Sequence, residues 1–332
     1  MDKEQEEVQY LGFFGIFKES FNIVPAWRSI FSQISLVLIF PLSFIYLAHI
    51  QISQYLFSNI VADEYILDRV PEGTPTYNSI SDVLSSEWTT FLLFKIGYFV
   101  FFIVLTLLST SAVVYTIACI YTAKDITFRK VMSVVPKVWK RLMSTFLWNF
   151  IIVFAYNLVA ILVLAIFVLI IPQGVFLVLV VMIILMVYLA GFVYISVIWH
   201  LASVVSVLEE RYGLNAMIKS HDLIKGKMGI STAMFVIFGL CFFGIQIGFQ
   251  WFVVLGNGGG LFWRFGYGVL CLTLLSMLIL FGLIIETIIY FICKSYHHEN
   301  IDKSSLSDHL EVYLGEYVPL KSKDVQLEHF EV

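Results

Sequence analysis

Charge is what this chain has least of. Only 13% of its residues are Asp, Glu, Lys or Arg, while 60% are hydrophobic; soluble domains carry about a quarter charged residues. That scarcity excludes an ordinary water-soluble domain. Cysteine is scarce as well. Cys119, Cys241, Cys271 and Cys293 all fall inside long apolar stretches or at their edges, which argues against a disulfide framework. No Asn-x-Ser/Thr sequon occurs. The start is acidic (Asp2, Glu4, Glu6, Glu7), where a signal peptide needs a basic start and an adjacent apolar core, so no cleavable signal is expected. Proline or glycine breaks in the middle of the apolar stretches are absent save for Pro41.

What is present is six long apolar runs, at approximately 32–58, 96–122, 146–171, 175–206, 231–255 and 266–293. Runs of about 20 apolar residues cross about 30 Å of hydrocarbon. Only helices and closed barrels satisfy their backbone polar groups in lipid, and these runs lack the alternation of barrel strands. The reading is therefore an all-α polytopic membrane protein. The fourth run is long enough to tilt or project.

The basic residues give an orientation. Segment 123–145 holds Lys124, Arg129, Lys130, Lys137, Lys140 and Arg141, and segment 207–230 holds Arg211, Lys219, Lys225 and Lys227. Stretch 59–95 is read as an acidic loop, with Asp63, Glu64, Asp68, Glu72, Asp82 and Glu87 against Arg69 and Lys95. Of 20 lysines and arginines, only Arg69, Lys95 and Arg264 fall on that second side. The positive-inside rule then places both termini in the cytosol, in a plasma or endomembrane. The net charge of −4 says little about partners, because the positive charge is local to one membrane face.

The six runs fall into three pairs, each preceded by a charged, half-apolar segment at 12–30, 125–143 or 209–228. In the first two, Phe17 and Pro25 match Phe128 and Pro136 in spacing, followed by Trp27-Arg28 and by Trp139-Lys140-Arg141. The second shows Phe128, Met132, Val135, Trp139 and Leu142 at helical spacing, with Arg129, Lys130, Lys137, Lys140 and Arg141 over much of the remaining surface. Such a helix would lie along the inner leaflet, with tryptophan at headgroup level and the cations reaching anionic lipid. It serves either lipid sensing or simple redirection of the chain. The expected architecture is thus three hairpins, each preceded by a cytosolic interfacial amphipathic helix. Residues 1–296 form one transmembrane domain with repeat units of about 12–122, 123–208 and 209–296, and 297–332 form a cytosolic acidic tail.

Each returning helix carries one polar side chain at similar depth: Tyr115, His200 and Glu286. Glu286 is the only acidic residue within a run, and a lone carboxylate in lipid costs a few kcal/mol, so it should face protein or water. It is either a proton, cation or headgroup site, or a packing glutamate, and His200 is its candidate partner. Asn149, with Ser231 or Thr232, lies near enough to join them.

Other motifs weigh less. Gly244 and Gly248 form a GxxxG element expected to pack on an intramolecular helix. The glycine-rich stretch 256–260 lacks the lysine and setting of a phosphate loop and reads as a hairpin turn. His297 and Asp302 have the spacing of an acyltransferase pair without the domain. His297, His298 and Glu299 lack further metal ligands, so neither metal nor cofactor is expected. Tyr317 and Leu320 fit a pattern read by sorting adaptors.

Val207, Leu208, Glu209, Glu210, Tyr212, Gly213, Ala216, Ser220, Leu223, Ile224, Lys225 and Gly226 resemble the signature between hairpins of a broad six-span group. That group includes the integral membrane domain found beside some bacterial glycerophosphodiester phosphodiesterases. Over nearly the whole chain, 128–141 and the tail 290–328 above all, the sequence is similar to plant transmembrane proteins of unknown function. The resemblance implies six spans and no phosphodiesterase, since that activity belongs to a separate soluble barrel, and it carries over no catalytic residue. The expectation is a non-enzymatic scaffold, trafficking or lipid-organising protein, with anionic inner-leaflet lipid as partner, sorting adaptors or other membrane proteins as further candidates, and no nucleic acid. The alternative is a transporter or channel using the polar cluster around Glu286. An intramembrane enzyme is disfavoured, as no run holds an aspartate or a depth-matched Ser/His or Cys/His pair.

Overall fold

A computed structural model describes residues 12–122, 126–256 and 259–297, and among them the chain is helical with no strand. Eight helices follow in order: α1 (Phe13–Ala26), α2 (Arg28–Leu67), α3 (Pro75–Tyr121), α4 (Phe128–Ile170), α5 (Val175–Leu208), α6 (Leu214–Ile224), α7 (Met228–Val254) and α8 (Leu261–Tyr296). All but α1 and α6 are long and apolar enough to cross a membrane. The expected tail motif Tyr317/Leu320, the pair His297/Asp302 in its second member, and His298 and Glu299 lie outside the described residues.

The breaks fall where the sequence carries breakers. α2 and α3 are separated only at 68–74, around Pro71, Gly73 (φ 82°) and Pro75. Thr74 caps α3, its Oγ1 accepting from the Tyr77 amide at 3.2 Å, with Pro75 at the first helical position, where its missing N–H is no loss. Thr127 caps α4 in the same way, accepting from the Lys130 amide. A π-helical turn at Ser35–Ile39 precedes Pro41, placing a widened turn where the proline ring would crowd the carbonyl four residues back.

Two expectations need correction. The acidic stretch 59–95 is not a loop but mostly helix. Its charges are compatible with helical backbone, and only the proline–glycine cluster interrupts it. The second surface segment is not a separate helix: residues from Phe128 onward continue without a break into Ile170, through Pro136. At 1.5 Å per residue, the 47 residues of α3 and 43 of α4 run to about 65–70 Å, against about 30 Å of hydrocarbon. These helices therefore project well beyond it.

The chain divides into two compact units. The first comprises 1–23, 111–232 and 284–332. Its centre is made of helix ends. Residues 111–119 of α3 and 201–208 of α5 are buried throughout, as are 284–295 of α8 apart from Glu286 and Lys294. Around them α1 buries Ile16, Glu19, Ser20 and Ile23, the start of α4 buries Val131, Val134, Val135, Val138 and Leu142, and α6 buries Ala216, Met217, Ser220, Leu223 and Ile224. The buried stripe of α4 is rotated from the expected one, since Phe128, Met132 and Trp139 are only half-buried. Farther along, α4 and α5 keep large apolar side chains such as Phe154, Ile161, Leu169, Val178 and Ile183 exposed, as lipid-facing helices do. There the pair is tied by polar contacts. Tyr156 donates to the Tyr188 carbonyl (2.8 Å), Tyr188 donates to Asn157 Oδ1 (2.9 Å), and the Tyr156 hydroxyl packs where a side chain on Gly191 would stand.

The second unit comprises 24–110 and 233–283. Its core is Leu47, Phe249, Cys271 and Leu275, with Tyr46, Phe242, Ile245 and Val253 packed around them. The packing face of α7 is thus Phe242, Ile245, Phe249 and Val253. Gly244 and Gly248 lie off it, and a side chain at either would meet open space. The expected close helix approach at this GxxxG element is not made. Arg264 Nε donates to the Val253 carbonyl (2.9 Å), serving a backbone oxygen left over at the end of a second π turn, Gln250–Val254.

Candidate functional site

In the first unit, α5 and α8 bring His200 and Glu286 together: His200 Nδ1 stands 2.7 Å from Glu286 Oε1. The proton lies on Nδ1 and is donated to the carboxylate, which fixes the imidazole's orientation. The neighbouring Trp199 ring lies 4.7 Å from the imidazole, centroid to centroid, and Ser203 donates to the His200 carbonyl at 2.6 Å. Both side chains retain partial exposure, 31% and 22%, amid helix ends that are otherwise closed. A paired acid and base with an open side can hold or pass a proton, or offer carboxylate oxygen to a cation.

Tyr115 is buried on the end of α3. Asn149 is buried on α4 and its Oδ1 has no hydrogen-bond partner among the described residues, so it bonds to neither His200 nor Glu286. Ser231 is buried near the start of α7, its hydroxyl donating to the Lys227 carbonyl (3.3 Å). Of the cations on α4, Arg129, Lys137 and Lys140 are exposed, whereas Lys130 and Arg141 are half-buried.

Sequence reading missed three further arrangements. One is the half-buried Glu209, just past α5. It accepts from Tyr290 Oη (2.7 Å) and from Lys294 Nζ (3.1 Å), while Lys294 also donates to Tyr290 Oη (3.2 Å). Burial alone would raise the Glu209 pKa, but Lys294, the hydrogen bonds from Tyr290 and Lys294, and the charge of Lys219 hold it below the usual carboxylate value. The second is a relay of hydroxyls. The Gly213 amide donates to Thr145 Oγ1 (2.8 Å), Thr145 stands 2.6 Å from Ser206 Oγ, and Ser206 donates to the Ala202 carbonyl (2.8 Å). The third is Glu19, a carboxylate buried on α1. The i, i+4 placement of Tyr290 and Lys294 was the one legible signal. The partners that Glu209 and Thr145 find on other elements lie 61 to 85 residues away in sequence.

The segment from Glu209 to Gly226 is thereby explained. Gly213 has φ +64° and Trp148 Cδ1 only 3.0 Å from where its Cβ would be. Ala216 is fully buried. Ser220 donates to the Ile198 carbonyl at 2.7 Å. Gly226, at φ +92°, lies under the Tyr296 ring, and His297 Nε2 stands 3.0 Å from both the Leu223 and Lys225 carbonyls, so it donates to them. This segment is a docking clasp that fastens α6 to the ends of α5 and α8.

Among the described residues, six helices long and apolar enough to cross a membrane are consistent with an integral membrane protein. The chain belongs to the family defined by a domain of unknown function, DUF8558, which matches residues 1–330. That match carries no link to any glycerophosphodiester phosphodiesterase domain. No curated protein and no solved structure matches the chain.

Proposed function

We propose that this is a non-enzymatic integral membrane protein that organises anionic lipid, and the proteins held there, at the cytosolic face of a plasma or endomembrane. The observation that carries this reading is the construction of the first unit. Three surface segments pack their apolar residues onto three closed helix ends, and the outward side of α4 then carries Arg129, Lys137 and Lys140 in the open. A packed block presenting fixed cations suits a headgroup-binding platform better than a pore. The same construction supports the threefold reading, in which each surface segment leads into a hairpin and both termini lie in the cytosol. Basic residues near an anionic surface contribute about 1 kcal/mol each. Replacing Arg129, Lys137 and Lys140 together with glutamine should therefore strip most co-purifying anionic phospholipid, measured by lipid mass spectrometry of the purified protein. Unchanged lipid content would sink the reading.

A second reading, proton- or cation-coupled transport, is favoured by the His200–Glu286 pair alone. It requires that Glu286→Gln abolish flux in proteoliposomes while expression and melting temperature hold. Equal flux in that variant would remove it.

A further inference from the structure

The second unit contains a cation that nothing yet described neutralises. Lys95, on α3, bends onto α2 and donates from Nζ to His49 Nε2 (2.8 Å) and to Ser53 Oγ (2.9 Å). An ammonium offers only donors, so His49 Nε2 accepts, its proton sits on Nδ1, and the ring is neutral. The imidazole is stacked on Tyr98 (3.7 Å between centroids) and faces Phe94 (5.8 Å). The Phe91 ring lies 5.0 Å from the ammonium. Among the described residues no carboxylate pairs with Lys95. Lys95 is half-buried; a charge partly withdrawn from water without a counter-ion carries a cost, and this one is held inward by two hydrogen bonds although its long stem would let it reach out.

The location says what the counter-ion is. Lys95 stands where α3 passes from its polar first part (Asp82, Glu87) into the apolar run beginning at Ile96. Trp88 and Tyr98 flank this junction, as aromatic side chains do at a membrane boundary. Lipid phosphates lie at that depth. The third N–H of Lys95 and the Ser53 hydroxyl proton, which no acceptor takes among the described residues, are two donors side by side. Charge-assisted donors of this kind fit phosphate oxygens.

We propose that His49, Ser53 and Lys95 form a phosphate site at the membrane boundary of the second unit, occupied by the phosphate of an anionic phospholipid. His49 aims the ammonium, and Lys95 and Ser53 make the contacts. The site is independent of the cationic surface of α4.

The test uses the full chain in mixed micelles and a phosphatidylglycerol carrying a photoreactive group close to its headgroup, with labelled peptides mapped by mass spectrometry. Label is expected on residues 46–98 of α2 and α3. It should fall about tenfold in Lys95→Gln, the loss of one charge-assisted contact, and persist in Lys95→Arg and in the Arg129/Lys137/Lys140 glutamine variant. Competition by millimolar inorganic phosphate would confirm the phosphate chemistry and assign a soluble source, while resistance to it would confirm the lipid. Should Lys95→Gln fail to fold, as size exclusion would reveal, Ser53→Ala carries the test with an expected fall of about threefold. No label on either helix, or wild-type yield in folded Lys95→Gln and Ser53→Ala, would overturn the proposal.

Discussion

At the scale of single residues, the polar groups of the first unit divide into those that fasten and those that stay open. Glu209 is a fastener: one oxygen accepts from both Tyr290 and Lys294, joining the end of α5 to α8. Its carboxyl is held below the usual carboxylate value, because the charge of Lys294 and the two hydrogen bonds outweigh the effect of burial. A group whose pKa is lowered by folding contributes stability that is present above its unfolded value and lost as pH falls through its folded value. The wild-type melting temperature should therefore drop as pH falls from about 5 toward 3, around and below the unfolded glutamate value near 4.3. Glu209→Gln should start lower at pH 7 and lose less over that window. Parallel curves for the two proteins would show that the triad contributes nothing through its charge. Glu286, by contrast, pairs with His200 and keeps an open side among the described residues, which makes it the residue to test for ligand or proton chemistry.

At the scale of elements, the junction between α4, α5 and the turn into α6 rests on small hydroxyls. Thr145 and Ser206 face one another at 2.6 Å, and the Gly213 amide donates to Thr145. In a membrane protein, where burial in hydrocarbon drives helix association weakly, such bonds and close packing hold helices together. Thr145→Val and Ser206→Ala should each destabilise the protein. A double-mutant cycle read by thermal unfolding in detergent should give a coupling of about 0.5–1.5 kcal/mol, whereas strict additivity would mean that the two hydroxyls do not act as a unit. How far such elements could be read beforehand depended on whether their cause was local. Apolar runs long enough to cross lipid announce themselves, and so did Glu286, because a carboxylate in such a run is conspicuous. The extent of the helices was less legible. The acidic stretch 59–95 reads as a loop from its charge, although only Pro71, Gly73 and Pro75 interrupt the helix. The stripe that α4 buries, Val131, Val134, Val135 and Val138 rather than Phe128, Met132 and Trp139, depends on what packs against it, and no helical period within one segment discloses that. The same holds for Gly244 and Gly248, whose spacing suggested a contact that Phe242 and Phe249 make instead. The clasp from Gly213 to Gly226 could be seen as a signature, but its purpose required the positions of Trp148 and Tyr296, both distant in the chain.

At the scale of the whole molecule, the six-crossing topology we propose sets which face of the membrane each end of the helices meets. Six crossings return the chain to the side from which it set out, so the segments before α2 and after α8 share a face, together with the connections that follow α3 and α5. To that face belong the start of α4, with Arg129, Lys137 and Lys140, and the stretch between α5 and α7, with Lys219, Lys225 and Lys227. The turn between α2 and α3, with Asp68 and Glu72, and the short connections after α4 and α7 meet the opposite face. On the orientation we propose, retention of basic segments on the cytosolic side makes the first face cytosolic. Single cysteines decide the matter, because Cys119, Cys271 and Cys293 are buried and Cys241 alone is exposed. In a Cys241→Ser background, Glu72→Cys should react with a membrane-impermeant maleimide in intact cells or sealed right-side-out vesicles. Lys137→Cys should react only after permeabilisation. The reverse pattern would invert the molecule and with it the lipid leaflet assigned to each cationic site. Labelling of both positions from one side would mean that an even number of crossings separates them, and would require α3, the one apolar helix between them, not to cross the bilayer.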